Sequence, residues 1–319
     1  MIRALFALAI LLVPALALGQ IVPSLGSSAQ IQIIPGTPEP GTSVLLIAEN
    51  VSDKNTLSFT WTANGKVIAE GIGADRATIT AGRVGESTTV TVRIADENGT
   101  VAEISRTLLP ATLDLVWEGN TYTPPFYLGR PLPTGESTVT VSALPDIRVG
   151  GTRVAKENLV YEWYLNNNDR PYRSGYGLHT ITLAPPLFDS AFTVSVTAKT
   201  RNSAGVARDS VVITPTRPDV ILYEQGPLLG TLFNKAATDE FVLDEEEVTF
   251  RLFPFFVVDP TAPNYVWSVA GSLVDPGSVS RELTLRKTAP GQGRYTIEAS
   301  LETAGSLYEQ AARSLQLIF

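Results

Sequence analysis

Leu57-Ser58-Phe59-Thr60-Trp61, Leu159-Val160-Tyr161-Glu162-Trp163 and Asn264-Tyr265-Val266-Trp267 decide how this chain is read. In each stretch an aromatic stands two residues before the tryptophan, so both rings fall on one face of an extended strand. The tryptophans are separated by 102 positions (61 to 163) and by 104 positions (163 to 267). That period is the size of one β-sandwich domain, roughly 100 residues.

The repetition extends to both sides of each tryptophan. Upstream lie alternating apolar runs at 44–47, 139–141 and 248–252. Eighteen residues downstream stand Ile79, Ile181 and Leu285, each in a short alternating segment. About thirty residues downstream come Val90-Thr91-Val92-Arg93-Ile94, Phe192-Thr193-Val194-Ser195-Val196 and Tyr295-Thr296-Ile297-Glu298-Ala299. A turn follows in each copy (Asn98-Gly99, Ala204-Gly205, Ala304-Gly305), and one more strand closes the unit. Any single tryptophan is ordinary core filler. Three in one context make a repeat architecture, with Trp61, Trp163 and Trp267 as its core markers.

Composition agrees. The 319 residues contain no Cys, one His and a net charge of −8. Without Cys there is no disulfide framework, thiolate metal site or Cys nucleophile. One His excludes multi-His metal centres, and no cofactor or metal is expected. The acidic balance, with no basic block, argues against nucleic acid and against an electrostatic membrane surface as partner. No stretch longer than about ten residues carries helical periodicity, as in an all-β protein.

Residues 1–19 read as an export signal: Arg3, then an apolar run from Ala4 to Leu18, then small residues suited to a cut after Gly19 or after Ala17. The run is short for a membrane span of about 20 residues, although an uncut signal would act as an anchor. Residues 20–29 are a flexible lead. The short connections at Leu109-Pro110-Ala111-Thr112 and Thr214-Pro215-Thr216-Arg217-Pro218 are semi-rigid. After Val220-Ile221-Leu222-Tyr223 the segment Gly226–Leu243 reads as a loop. Pro254, within the apolar stretch Leu252–Val258, points to an edge strand or a bulge.

The chain resembles tandem immunoglobulin-like domains of the polycystic-kidney-disease type found on prokaryotic cell surfaces. Phe59-Thr60-Trp61-Thr62-Ala63-Asn64-Gly65 and its counterparts 161–166 and 265–271 carry the likeness. So does Pro290-Gly291-Gln292-Gly293-Arg294-Tyr295-Thr296-Ile297, which leads into a late strand. Where that family has an acidic Gly-Asp-Gly turn, these repeats read Ala63-Asn64-Gly65, Leu165-Asn166-Asn167 and Val269-Ala270-Gly271. The resemblance implies spacer, adhesion or assembly roles and brings no catalytic residues. The expected architecture is thus three all-β, Ig-like sandwiches at 30–110, 111–217 and 218–319, arranged as an elongated rod.

Candidate chemistry is sparse. His179 has no nucleophile elbow to serve, and it reads as an ordinary strand residue. Asp244-Glu245-Glu246-Glu247 leads straight into a strand and lacks the turning backbone of a calcium loop. Loop aromatics are the best contact candidates: Tyr122, Phe126 and Tyr127 in one loop, Tyr172 and Tyr176 in another. Such rings anchor protein interfaces or stack on sugars, or else they cap their own sandwich or pack on a neighbouring one. Phe253, Phe255 and Phe256 are open to the same two readings, assembly surface or core. The function expected is an exported, non-enzymatic structural or adhesion module with a protein or cell-surface glycan partner. The alternatives are a carbohydrate-binding module built on the loop aromatics and an accessory domain of an extracellular enzyme complex.

Overall fold

The computed structural model describes residues 28–168, 171–185, 190–274, 281–288 and 292–319. The signal segment and the Pro290-Gly291 pair lie outside the described residues. Among the described residues there is no α-helix, and none long and apolar enough to cross a membrane.

The first sandwich comprises β1 (Gln30–Ile34), β2 (Ser43–Glu49), β3 (Ser58–Ala63), β4 (Lys66–Ile72), β5 (Arg76–Thr80), β6 (Thr88–Asp96) and β7 (Gly99–Leu108). Its sheets are ordered β1-β2-β5 and β4-β3-β6-β7. The second comprises β8 (Thr112–Gly119), β9 (Val139–Asp146), a small hairpin of β10 (Arg148–Val149) and β11 (Thr152–Arg153), β12 (Val160–Leu165), β13 (Arg173–Tyr176), β14 (Thr180–Leu183), β15 (Phe192–Lys199) and β16 (Val206–Ile213). Its sheets, β8-β9-β14 and β13-β12-β15-β16, repeat the first arrangement. The third comprises β17 (Asp219–Gly226), β18 (Gly230–Ala237), β19 (Glu240–Val242), β20 (Glu247–Phe255), β21 (Asn264–Val269), β22 (Ser272–Leu273), β23 (Glu282–Arg286), β24 (Arg294–Glu302) and β25 (Gln310–Ile318). Its sheets are β18-β17-β20-β23 and β19-β25-β24-β21-β22. These are tandem immunoglobulin-like sandwiches. Alternating side chains of both sheets fill one core between the layers.

Trp61, Trp163 and Trp267 sit on β3, β12 and β21 and are fully buried. In the first two repeats the indole nitrogen donates a 2.9 Å hydrogen bond to a carbonyl two residues before the next outer strand, Ala74 and Leu178 respectively. Tyr161 and Tyr265, two residues before their tryptophans, each donate to a carbonyl five residues upstream, Lys156 at 2.9 Å and Pro260 at 2.7 Å. Burial, with the nearby negative charge of Glu157 second, pushes the Tyr161 phenol up to about 12. The fold therefore holds the neutral phenol. Its contribution to stability is complete below the unfolded value near 10 and is lost as pH rises through about 12. Alkaline unfolding followed by circular dichroism should show this loss between those two values, and Tyr161→Phe should remove it.

The turn three residues after each tryptophan is left-handed at both positions: Asn64 and Gly65, Asn166 and Asn167, Ala270 and Gly271. Positive φ at both central residues is what a two-residue hairpin needs to match strand twist, as between β3 and β4 and between β21 and β22, whereas the turn after β12 opens a longer connection to β13. The backbone amides of Asn64, Asn166 and Ala270 donate to the carbonyls of Thr89, Thr193 and Thr296, at 2.8 Å each. Asn64 and Asn166 also accept, through Oδ1, from the amides of Thr89 (2.8 Å) and Thr193 (3.1 Å). Ala270, at φ 47°, lacks that second bond and pays the left-handed strain of a residue with a Cβ. Ala270→Asn should stabilise the third sandwich by about 1 kcal/mol, read as a rise in its urea midpoint.

Two expectations need correction. The segment 226–243 is not a loop, because it holds β18 and β19. β18 folds back on β17 across a register shift between Tyr223 and Gln225, and that irregularity hides the alternation. β19 runs parallel to β25, too short to show a period. Pro254 is likewise not on an edge strand, since β20 lies between β17 and β23. It stands three residues past Arg251, the last residue of β20 paired with β23, where a missing N–H costs that ladder nothing.

By internal packing the chain forms two compact units. Of the described residues, one takes 28–36, Ser43–Thr80 and Thr88–Leu108, and the other takes Thr37–Thr42, Ala81–Ser87 and those from Leu109 onward. The larger unit holds two separate cores, one around Trp163 and one around Trp267.

Candidate contact surfaces

The five loop aromatics divide into two groups. Tyr122, Phe126 and Tyr127 lie in the segment 120–138 between β8 and β9 and engage the third sandwich. Phe126 has its ring centroid 4.0 Å from Phe233, 5.3 Å from Phe253 and 5.4 Å from Tyr223. Phe233, Phe253 and Tyr223 also contact one another edge-on, at 5.4–5.7 Å. Tyr127 packs edge-on against Phe255 and Phe256, at 5.6 and 5.8 Å. Tyr122 forms an antiparallel bridge with Val257: its amide donates to the Val257 carbonyl at 2.7 Å, and its carbonyl accepts from Phe256 at 2.8 Å. Such a ring cluster combines apolar burial with favourable edge-to-face contacts.

Polar contacts complete this joint. Glu136 accepts from the Ser306 hydroxyl and, at 2.9 Å, from the Leu307 amide. Thr216 N donates to Pro133 O at 2.7 Å. Pro133, Thr134 and Gly135 are buried. Tyr122, Phe126 and Tyr127 are therefore committed to the neighbouring sandwich, and with them Phe253, Phe255 and Phe256.

Tyr172 and Tyr176 remain open, 52% and 49% exposed. Tyr176 closes β13, directly opposite Val160 of β12, and so stands on the outer face of its sheet, away from buried Tyr161 and Trp163. Register places three rows across that face. The first is Tyr176, Val160, Lys199 and Val206; the second is Ser174, Glu162, Thr197 and Arg208; the third runs Tyr164, Ser195 and Ser210. Lys199 Nζ pairs with Glu162 Oε1 at 2.7 Å near the centre. The Arg201 guanidinium lies over the Tyr176 ring at 4.3 Å and that of Arg208 over Tyr164 at 5.9 Å. Tyr176 is fixed further by donating its hydroxyl to Asn158 Oδ1 at 2.9 Å. The pattern was partly hidden in the sequence, because Tyr164, Arg201 and Arg208 join Tyr176 only through strand pairing.

The other candidates find plain structural roles. His179 sits with Nδ1 2.9 Å from the Gly177 carbonyl oxygen and its ring beside Tyr161. Residues 244–247 are exposed where the chain enters β20, and Glu247, its first residue, accepts from Arg286 Nε at 2.9 Å. Among the described residues no group of three or more His, Asp or Glu is placed to hold a metal ion. A surface depression of about 450 Å³ near Arg217 and Tyr308 is lined by a single carboxylate, Glu302.

No protein-family model matches the chain, and no curated protein matches it. Solved structures similar to it include three N-terminal domains of the highly immunogenic outer capsid protein of bacteriophage RB49. That match has 14% identity and a TM-score of 0.26, covering 91% of this chain and 97% of that one. The central fibronectin-III array of RIM-binding protein matches at 14% identity and TM-score 0.33, over 91% and 96%. SGBP-B of the Bacteroides ovatus mixed-linkage glucan utilization locus, in complex with a mixed-linkage heptasaccharide, matches at 14% and 0.21, over 90% and 70%. Scores this low carry nothing from those proteins to this one.

Proposed function

We propose that the chain is an exported, non-enzymatic contact module whose sandwiches space and present a binding face. One observation carries this reading. The cores close around their tryptophans, the aromatic loop is spent on joining two sandwiches, and Tyr172 and Tyr176 stay half exposed, Tyr176 with the Arg201 guanidinium over its ring. An enzyme would need a cleft with convergent acid and base groups. The alternative of a carbohydrate-binding module narrows accordingly, from five aromatics to Tyr172 and Tyr176.

Fractionation of the producing cells, with mass spectrometry of the mature N-terminus, tests the reading. The expected result is recovery outside the cytoplasm, with the chain starting at Gln20 or at Leu18. Recovery only in the cytoplasm with the first 19 residues intact would refute export. Turnover of a small ester, glycoside or peptide substrate by the pure protein would refute the non-enzymatic part.

A further inference from the structure

The outer face of the sheet β13-β12-β15-β16 carries a charge unlike that of the rest of the chain. Between residues 111 and 217 the sequence has ten Lys and Arg against nine Asp and Glu. Between 218 and 319 it has seven against fourteen. Among the described residues the strand register gathers Lys199, Arg208 and, through its contact with Tyr176, Arg201 on the face itself, with Glu162 the one carboxylate in these rows, while Glu39 and Asp114 line a depression with Arg208 at the sheet edge. Glu162 is already occupied by Lys199. Arg201 and Arg208 make no ion pair among the described residues and are exposed.

The geometry of these two arginines matters. A guanidinium stacked on a tyrosine spends its flat face on the ring and leaves its N–H donors pointing outward in its own plane. That fork fits a carboxylate, which accepts two parallel hydrogen bonds. Arg201 lies over Tyr176 at 4.3 Å, close enough for such stacking, and Arg208 stands beside Tyr164 at the longer distance of 5.9 Å, in another part of the same sheet face. Between and beside them are short hydroxyl side chains, Ser174, Thr197 and Ser210. Apolar groups on this face are few and scattered: Val160 and Val206 in the first row and exposed Val212 beyond the third. A stable protein interface is built around an apolar, fully desolvated centre, and these rows offer none. A polyhydroxylated chain bearing carboxylates suits these groups: a sugar against the half of Tyr176 that Arg201 leaves exposed, hydroxyls on the serines and threonines, carboxylates on the guanidinium edges.

We propose that this face binds an acidic, uronate-type polysaccharide, with Arg201 and Arg208 holding carboxylates and Tyr176 supplying a stacking surface. The proposal rests on the contact-module reading above but can fail without it, because export and lack of turnover are measured separately. Native electrophoresis of the full chain in gels containing sodium polygalacturonate provides the test, with dextran, poly-L-glutamate and single-stranded DNA in parallel gels.

The expected result is retardation by polygalacturonate and none by dextran. The double variant Arg201→Gln and Arg208→Gln should bind about tenfold more weakly, in keeping with loss of charge-assisted hydrogen bonds. Tyr176→Ala should weaken binding as well, while Arg106→Gln, on β7 of the first sandwich, should not. Raising salt to about 0.5 M should relax the retardation of the native chain. Absence of retardation, or retardation unchanged in the double variant, overturns the proposal. Equal or stronger retardation by poly-L-glutamate or by single-stranded DNA also overturns it, in favour of an acidic peptide or a nucleic acid.

Discussion

Replacing Trp163 by alanine is expected to unfold the second sandwich. The side chain is fully buried at the centre of its core. Truncating a buried tryptophan costs about 3–5 kcal/mol in transfer and cavity terms. The Leu178 carbonyl, which receives the indole hydrogen bond, would lose its partner, adding about 1 kcal/mol or more. Against a domain stability of roughly 5–15 kcal/mol, this removes most or all of the margin. Trp117 is the internal control. It is half-buried on β8 with the Arg130 guanidinium 3.7 Å over its ring, so Trp117→Ala should cost far less. Calorimetry of the full chain distinguishes the two. A Trp163→Ala shift no larger than that of Trp117→Ala would show that the repeated tryptophan does not organise the sandwich.

The second large effect is expected at Phe126. It belongs to the second sandwich by sequence but meets four rings of the third: Tyr223, Phe233, Phe253 and Phe255. The ring is half-buried, so Phe126→Ala should cost about 2–3 kcal/mol: half the usual loss for a core phenylalanine, plus the edge-to-face contacts. The loss falls on the coupling between the two sandwiches rather than on either core. In calorimetry the native chain should melt its second and third sandwiches in one transition, and the variant should separate them into two. Phe126→Leu, which keeps apolar volume, should restore most of the coupling. An unchanged single transition in Phe126→Ala would mean that Glu136, Thr216 and the Tyr122–Val257 bridge hold the joint by themselves.

The sandwich repeat was legible because its determinants are local and periodic. Alternation around Val92, Val194 and Ile297 marks strands, and an aromatic two residues before each tryptophan marks a shared face. The turn residues were legible for the same reason, since Asn64-Gly65 carries its backbone preference in its own chemistry. The joint was not. Phe126 beside Pro125 reads the same whether it faces solvent or another sandwich, and the choice is made by Tyr223, Phe233 and Phe253, about a hundred residues away. β18 was not legible because its register slips against β17, nor were the arginine–tyrosine contacts, which form only when β12, β13, β15 and β16 align.

The joint has a mechanical consequence. The Pro215–Pro218 link is covalently the sole path from the second sandwich to the third, yet the segment 120–138 grips the third sandwich through rings, a strand bridge and Glu136. Tension along the chain is thereby shared between two parallel attachments. Under rising load the non-covalent contacts at Phe126 and Tyr122 should give way first, after which the linker alone carries the tension between the two sandwiches.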